Sequence, residues 1–112
     1  MDPRFSRAYG ALAGLALGDA LGMPTQEMSP EQIRAVYGRI TGLVDGDASQ
    51  PYAPGMPAGS VTDDTEQALL VASLLIRGRG SSSGRVALNA VEFAHALLAW
   101  EDSMIERGSL DL

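Results

Sequence analysis

The stretch Gly59–Leu75, GSVTDDTEQALLVASLL, decides how this chain is read. Asp63 and Asp64 stand side by side between Thr62 and Thr65, and an almost unbroken apolar run follows. From Ala68 to Ile76 that run is apolar nearly all the way round a helix, the pattern of a helix buried among others. The acids ahead of it have a plain explanation. Helix N-termini favour Ser, Thr or Asp as caps and acids in the first turn, because unpaired N–H groups and the helix dipole welcome negative charge. On that reading Ser60 or Thr62 caps, and Asp63, Asp64 and Glu66 fill the first turn. Capping needs only one acid, however, and neighbouring carboxylates repel. Thr62, Asp63 and Asp64 cannot share one face of a regular helix. Where loop becomes helix, the backbone can aim all three oxygen side chains at one centre, and such oxygens are what Mg²⁺ or Mn²⁺ prefers. A helix start and a metal site both remain open on these residues alone.

Working outward, the chain reads as four helical segments and a long loop. Arg4 to about Leu21 forms a helix with Gly10, Gly14 and Gly18 four apart on one face. Each glycine costs about 1 kcal/mol against alanine, a cost expected where another helix or a ligand comes close; helix packing is the default. In SPEQIRAVYG, Ser29 is the N-cap, Pro30 fits the first helical position, Gln32 completes a capping box and Gly38 is the stop. RITGLVDG, Arg39–Gly46, reads as a short strand or an extended loop. DASQPYAPGMPAGS, Asp47–Ser60, is a long irregular loop rich in proline and glycine, a kind of segment that is often functional. The third helix is expected over Thr62–Arg77, and RGRGSSSGR is a polar turn. A fourth helix is expected from about Arg85 to Glu106, with Val86, Ala90, Phe93, Ala94, Leu97 and Leu98 near one face. The predicted class is all-α.

Composition narrows the function. The chain has 112 residues, eight arginines, no lysine and fourteen acids, for a net charge of −6. At that length it is one domain at most, and a chain of this size buries roughly two thirds of its unfolded surface. No basic stripe appears, so nucleic acid is not an expected partner. With no cysteine there are no disulfides and no thiolate ligands, which suits a cytoplasmic protein. The apolar run Ala8–Leu17 superficially resembles a secretory signal, but it is rich in Gly and Ala and Asp19 follows at once. No span of about 18 to 20 apolar residues can be drawn without crossing that aspartate, so no membrane association is expected.

Charge also limits the metal reading. Asp63 and Asp64 can neutralise one divalent cation, but a helix N-terminus is unfavourable to cations. A two-metal site needs further carboxylates. Asp19, Glu27, Asp45 and Asp47 are the few candidates, and none forms a second tight cluster. The site looks half-built.

Taken together, these residues resemble the ADP-ribosylglycohydrolase family, the enzymes related to dinitrogenase reductase-activating glycohydrolase. GALAGLALGDALGMPTQ, Gly10–Gln26, is similar to the family's opening G-x-x-x-G-x-x-x-GDALG-x-P helix and loop, and GSVTDDTEQALLVASLL to its G-x-x-TDDT helix. GDALG alone is a weak signal; followed by TDDT it is specific. The resemblance implies a compact, orthogonal all-α bundle with two Mg²⁺ or Mn²⁺ ions in a central cleft. It implies removal of ADP-ribose from a protein side chain or a related small ADP-ribosyl substrate. By match of motif, Thr62, Asp63 and Asp64 would be metal ligands, with Gly22 and Gln26 near the substrate and Asp19 an acid that supports the ligands or the fold, not itself a ligand. The metals would hold ribose hydroxyls and a water against the N- or O-glycosidic bond.

Two departures qualify this. Many relatives carry a glutamate near the reacting sugar where this chain has Gln26, which cannot accept a proton; Glu27 beside it is the candidate acid–base residue. The family's later D-x-D-[ST] ligands have no match here, so residues 1–112 read as the N-terminal part of one such domain, inactive alone, whose partner would be the missing C-terminal part. The alternatives are a non-catalytic helical module and a hydrolase of another ribosyl N-glycoside. His95 reads as a packed or exposed histidine. Trp100 reads as core, although an aromatic there could stack on adenine.

Overall fold

A computed structural model describes residues 2–78 and 88–108, and all the regular structure in them is helical. The elements are α1 (Pro3–Gly22), a 3₁₀ turn at Met23–Thr25, α2 (Pro30–Tyr37), α3 (Asp63–Arg77) and α4 (Ala90–Glu106). The all-α class expected from the sequence is the class observed. None of the described helices is long and apolar enough to cross a membrane.

Local chemistry explains the boundaries. Asp2 caps α1 by accepting from the Arg4 N–H at 2.9 Å, with Pro3 in the first helical position. In α2 the capping box is complete: Ser29 Oγ accepts from the Gln32 N–H (3.1 Å) and Gln32 Oε1 from the Ser29 N–H (2.8 Å). Gly38 ends α2 at φ +65°, a backbone angle that glycine adopts without steric cost. α4 starts later than the apolar pattern suggests. Asn89 Oδ1 accepts from the N–H groups of Val91 and Glu92 (3.0 and 3.1 Å), so the helix opens at Ala90. The expected residues Arg85 and Val86, and most of the polar turn, lie outside the described residues.

The chain divides into two compact units, one made chiefly of residues 1–65 and one of residues 66–111. The buried centre of the first is small and partly polar: Ala20, Met23, Pro24, Gln50, Ala53, Thr62 and Thr65. Gln50 organises it. Its Nε2 donates toward the carbonyls of Met23 (3.2 Å), Pro24 (3.1 Å) and Gln26 (3.0 Å), and its Oε1 accepts from the Tyr52 N–H (2.9 Å). The long loop is therefore tied to the turn that follows α1. Tyr37 adds a second tie, its hydroxyl donating to the Asp45 carbonyl (2.8 Å) and accepting from the Asp47 N–H (2.9 Å). At Gly46 any Cβ would collide with the Ala53 carbonyl, because the chain crosses itself there; the Gly46 N–H donates to Met56 O at 2.7 Å. RITGLVDG is loop, not strand, and these cross-links hold its last two residues, Asp45 and Gly46.

In the second unit Leu74 and Met104 are the buried apolar residues. Glu66 joins its two helices, accepting from the Trp100 indole N–H at 2.8 Å and pairing with the Arg107 guanidinium at 3.3 Å. Trp100 is thus a part-buried hydrogen-bond donor, and His95 is exposed. The expectation that α3 is buried all round is not met. Leu69 is 49% and Ile76 66% exposed while Leu74 is buried, so among the described residues the helix is only partly covered.

Replacing Gln50 by leucine removes the amide that the Gln26 carbonyl relies on and leaves those of Met23 and Pro24 with only the longer contacts from the Gln26 N–H (3.4 Å) and the Tyr37 hydroxyl (3.3 Å). Unsatisfied buried polar groups cost about 1–3 kcal/mol each. The expected result is a fall in Tm of roughly 10 °C, read by thermal unfolding; an unchanged Tm would show that the loop is not anchored this way.

Candidate functional site

The TDDT turn is held from a distance of more than forty residues. Asp19, one turn before the end of α1, receives four hydrogen bonds from it. Its Oδ2 accepts from the Thr62 N–H (2.7 Å), the Thr65 hydroxyl (2.6 Å) and the Thr65 N–H (3.3 Å), while Oδ1 accepts from the Thr62 hydroxyl (2.8 Å). The Thr62 hydroxyl in turn accepts from the Asp64 N–H at 3.3 Å, the ordinary N-cap contact. Ser60, the other cap candidate, instead donates to the Pro57 carbonyl.

The N–H groups at the start of α3 are therefore satisfied by Thr62 and by the carboxylate of Asp19. Thr62 caps and Asp63, Asp64 and Glu66 stand in the first turn, as the plain reading has it; what that reading does not contain is the carboxylate brought from α1. Among the described residues no hydrogen bond ends on the carboxylate of Asp63 or Asp64, and Glu66 is engaged with Trp100 and Arg107. Thr62 and Thr65 are buried, Asp63 is half-buried and Asp64 is exposed.

Electrostatics follow the geometry. Partial burial pushes the Asp19 carboxyl up, and the hydrogen bonds from Thr65 and Thr62 outweigh it, holding the group below its ordinary value. A hydrogen-bonded carboxylate is stabilised in its charged form, and a helix N-terminus favours the same charge.

Beside this turn lies an open cleft of about 420 Å³, lined by Gly14, Gly18 and Gly22 of α1 together with Asp19, Met23, Gln26 and Asp64. Among the described residues no helix packs on the glycine stripe, contrary to expectation. A Cβ placed on Gly10, Gly14, Gly18 or Gly22 meets nothing within 4 Å, so the smooth face forms the floor of the cleft instead. Gly22 and Gln26, named from sequence, are brought together with Asp64. Glu27 is not. It adopts a left-handed backbone (φ +59°) and lines a separate cleft of about 360 Å³ with Met28, Gln32, Val36 and Ser49.

The donor chemistry of Thr62, Asp63 and Asp64 suits a hard divalent cation: one hydroxyl oxygen and two carboxylates on which, among the described residues, no hydrogen bond ends. It is a partial set. Among the described residues no group of three or more His, Cys, Asp or Glu is placed to hold a metal ion. Asp19 is spent on hydrogen bonds, and Asp45 and Asp47 are engaged in the loop, accepting from Ala58 and Ser49.

An α-helical chain whose glycine-floored cleft ends at a pinned TDDT turn belongs to the ADP-ribosylglycohydrolase family, and the family's sequence pattern matches residues 1–111. It is similar to an uncharacterized protein of Archaeoglobus fulgidus, 36% identical over 89 residues, which is 80% of this chain and 25% of that protein. It is also similar to the uncharacterized protein YegU of Escherichia coli K12, 36% identical over 74 residues, 66% of this chain and 22% of the relative. The chain thus spans about a quarter of the length of the curated relatives it matches. No solved structure matches it.

Sequence reasoning missed Gln50 and Tyr37, whose partners lie too far along the chain for any local pattern to reveal. Asp19 was legible as a structural acid; its four donors were not.

Because the folded-state pKa of Asp19 is depressed, its contribution to stability is present above the ordinary carboxylate range and is lost as pH falls through the folded value. Wild-type stability should therefore drop below about pH 4. In Asp19→Asn that part of the slope should disappear, with a loss of about 2 kcal/mol at neutral pH. Urea unfolding across pH 2.5–7 measures both, and parallel curves for the two proteins would refute the assignment.

Proposed function

We propose that the chain supplies the N-terminal ligand turn and substrate floor of an enzyme that hydrolyses an ADP-ribosyl glycosidic bond. One observation carries the reading: Asp19 and Thr62 between them cap α3, and among the described residues no hydrogen bond ends on the carboxylates of Asp63 and Asp64, the second of which lines an open cleft. Family membership supports the same direction.

In this reading Thr62, Asp63 and Asp64 hold Mg²⁺ or Mn²⁺, with two ions in the complete enzyme. Bound metal would supply Lewis acidity toward a water and the ribose hydroxyls. The chain's own residues do the positioning. Gly14, Gly18 and Gly22 leave space for a ligand to lie close to the α1 backbone, and Gln26 offers an amide for hydrogen bonding but no base. Glu27, facing the other cleft, is retained as an acid–base candidate only if the complete domain turns it toward substrate. The remaining ligands would come from a D-x-D-[ST] motif outside these 112 residues. The substrate would be an ADP-ribosylated side chain or a related small ADP-ribosyl compound, and the setting cytoplasmic.

A second reading, a non-catalytic helical module, draws on the uncovered apolar residues of the second unit, Leu69, Ile76, Leu98 and Ile105. Thermal melting during Mg²⁺ or Mn²⁺ titration separates the two. A ligand that binds only the folded state at a hundred times its Kd adds about 2.7 kcal/mol. The expected outcome is a metal-dependent rise in Tm for the wild type that vanishes in Asp63→Asn/Asp64→Asn; no rise favours the module. Substrate class is read by product analysis with the complete domain. Release of free ADP-ribose from ADP-ribosylated arginine or serine peptides is expected, and release of a base from a simple nucleoside in its place would shift the assignment to another N-glycoside.

A further inference from the structure

The chain turns sharply after the 3₁₀ segment, and the turn is of a kind that glutamate does not favour. The Met28 N–H donates to the Thr25 carbonyl at 3.1 Å, closing a four-residue turn with Gln26 and Glu27 at its centre. Gln26 stands at φ −56° and ψ 129° and Glu27 at φ +59°, the angles of a type II turn. Type II requires a positive φ at its third residue, where glycine or asparagine is usual, whereas a type I turn accepts most residues at negative φ. The two types share the closing hydrogen bond and differ chiefly in the direction of the central peptide, here the one between Gln26 and Glu27. Something other than local preference therefore fixes that peptide.

Gln50 is the group that touches it. Its side chain is buried, and its Nε2 donates to the Gln26 carbonyl at 3.0 Å, the shortest of its three carbonyl contacts. The Tyr52 N–H holds the other end of the amide, donating to Oε1 at 2.9 Å, so the donating end stays turned toward the Gln26 carbonyl. A type I turn would swing the Gln26 oxygen away from Nε2 and lose this bond. The carbonyl and N–H of a planar trans peptide point in opposite directions. With the oxygen drawn inward, the Glu27 N–H faces away from the buried centre, and among the described residues it donates to no acceptor.

We infer that Gln50 is the positioning residue of the turn that divides the two clefts: its amide latches the Gln26–Glu27 peptide in the type II orientation, against the preference of Glu27 for negative φ. The turn thereby offers an N–H donor beside the Gln26 side chain. A phosphate or hydroxyl oxygen of a ligand meets a hydrogen-bond donor there, where the flipped peptide would meet it with a carbonyl. Gln50 itself lines no part of the Gln26 cleft. The latch holds whatever ligand that cleft takes.

The test is nuclear magnetic resonance on the isotope-labelled 112-residue chain, with thermal unfolding of the same variants. A type II turn brings the Gln26 Hα close to the Glu27 N–H and gives a strong Overhauser effect between them. A type I turn gives its strong effect between the two N–H protons. The wild type should show the first pattern, and a wild type with the second overturns the inference at once. Gln50→Met, which keeps the length of the side chain and removes the donor, should show the second. Adding Glu27→Gly to Gln50→Met should restore the first, because glycine adopts positive φ without a latch. Stability reads the same equilibrium. Glu27→Gly relieves the positive φ of the wild type and should raise Tm by roughly 5 °C. In Gln50→Met the peptide has already flipped, so the same change should give no rise. If Gln50 is merely structural, the type II pattern persists in Gln50→Met and Glu27→Gly adds the same rise in both backgrounds; either result overturns the inference. Should Gln50→Met fail to fold, Gln50→Asn draws the donor back by a methylene and is judged by the same two patterns.

Discussion

A single carboxylate, that of Asp19, holds the start of α3 against the end of α1. Two side-chain hydroxyls and two backbone N–H groups converge on it from Thr62 and Thr65. Charge-assisted hydrogen bonds of this kind are about twice as strong as neutral ones, and here they reinforce the local cap made by Thr62. Everything that gives the site its character follows. Asp63 and Asp64 are released from structural duty, Asp64 stands at the rim of the cleft, and the glycine face of α1 becomes its floor.

The polar centre of the first unit works by the same logic of borrowed partners. Met23 and Pro24 are buried directly after α1, and the 3₁₀ turn itself offers their carbonyls only a long contact, from the Gln26 N–H to Met23 O at 3.4 Å. Gln50 brings a neutral amide to them across more than twenty residues of chain. A lysine could donate as well, but its charge would be costly to bury. The loop that looked merely proline-rich is thus an integral part of the wall around Gln26, whose carbonyl it also holds.

What could be read from sequence was what is local. The capping box at Ser29, the stop at Gly38, the glycine spacing of α1 and the TDDT helix all depend on neighbours within four residues, and the family pattern is made of such pieces. The cap of α3 depends on residue 19, the loop anchors on residues 23–26, and the start of α4 on Asn89, which interrupts an apolar pattern that otherwise extends further back. Glycine spacing showed that a smooth face exists; it carried no information on whether a helix or a cleft lies against it. The all-round apolar pattern of α3 likewise states how many faces need cover, while the exposure of Leu69 and Ile76 shows that the described residues leave part of it uncovered.

The left-handed backbone at Glu27 bears on how the turn after α1 can change over time. A non-glycine residue at φ +59° inverts the chain between two adjacent side chains, and Gln26 and Glu27 consequently belong to different clefts. They are neighbours in sequence but not substitutes for one another. Moving a carboxylate from position 27 to the cleft of Asp64 is not a matter of a flexible side chain swinging round; it requires either a new residue at position 26 or a turn of opposite hand. A one-codon exchange there is a simple route, whereas a shift of register would dismantle the cap at Ser29 and the amide clasp of Gln50 together.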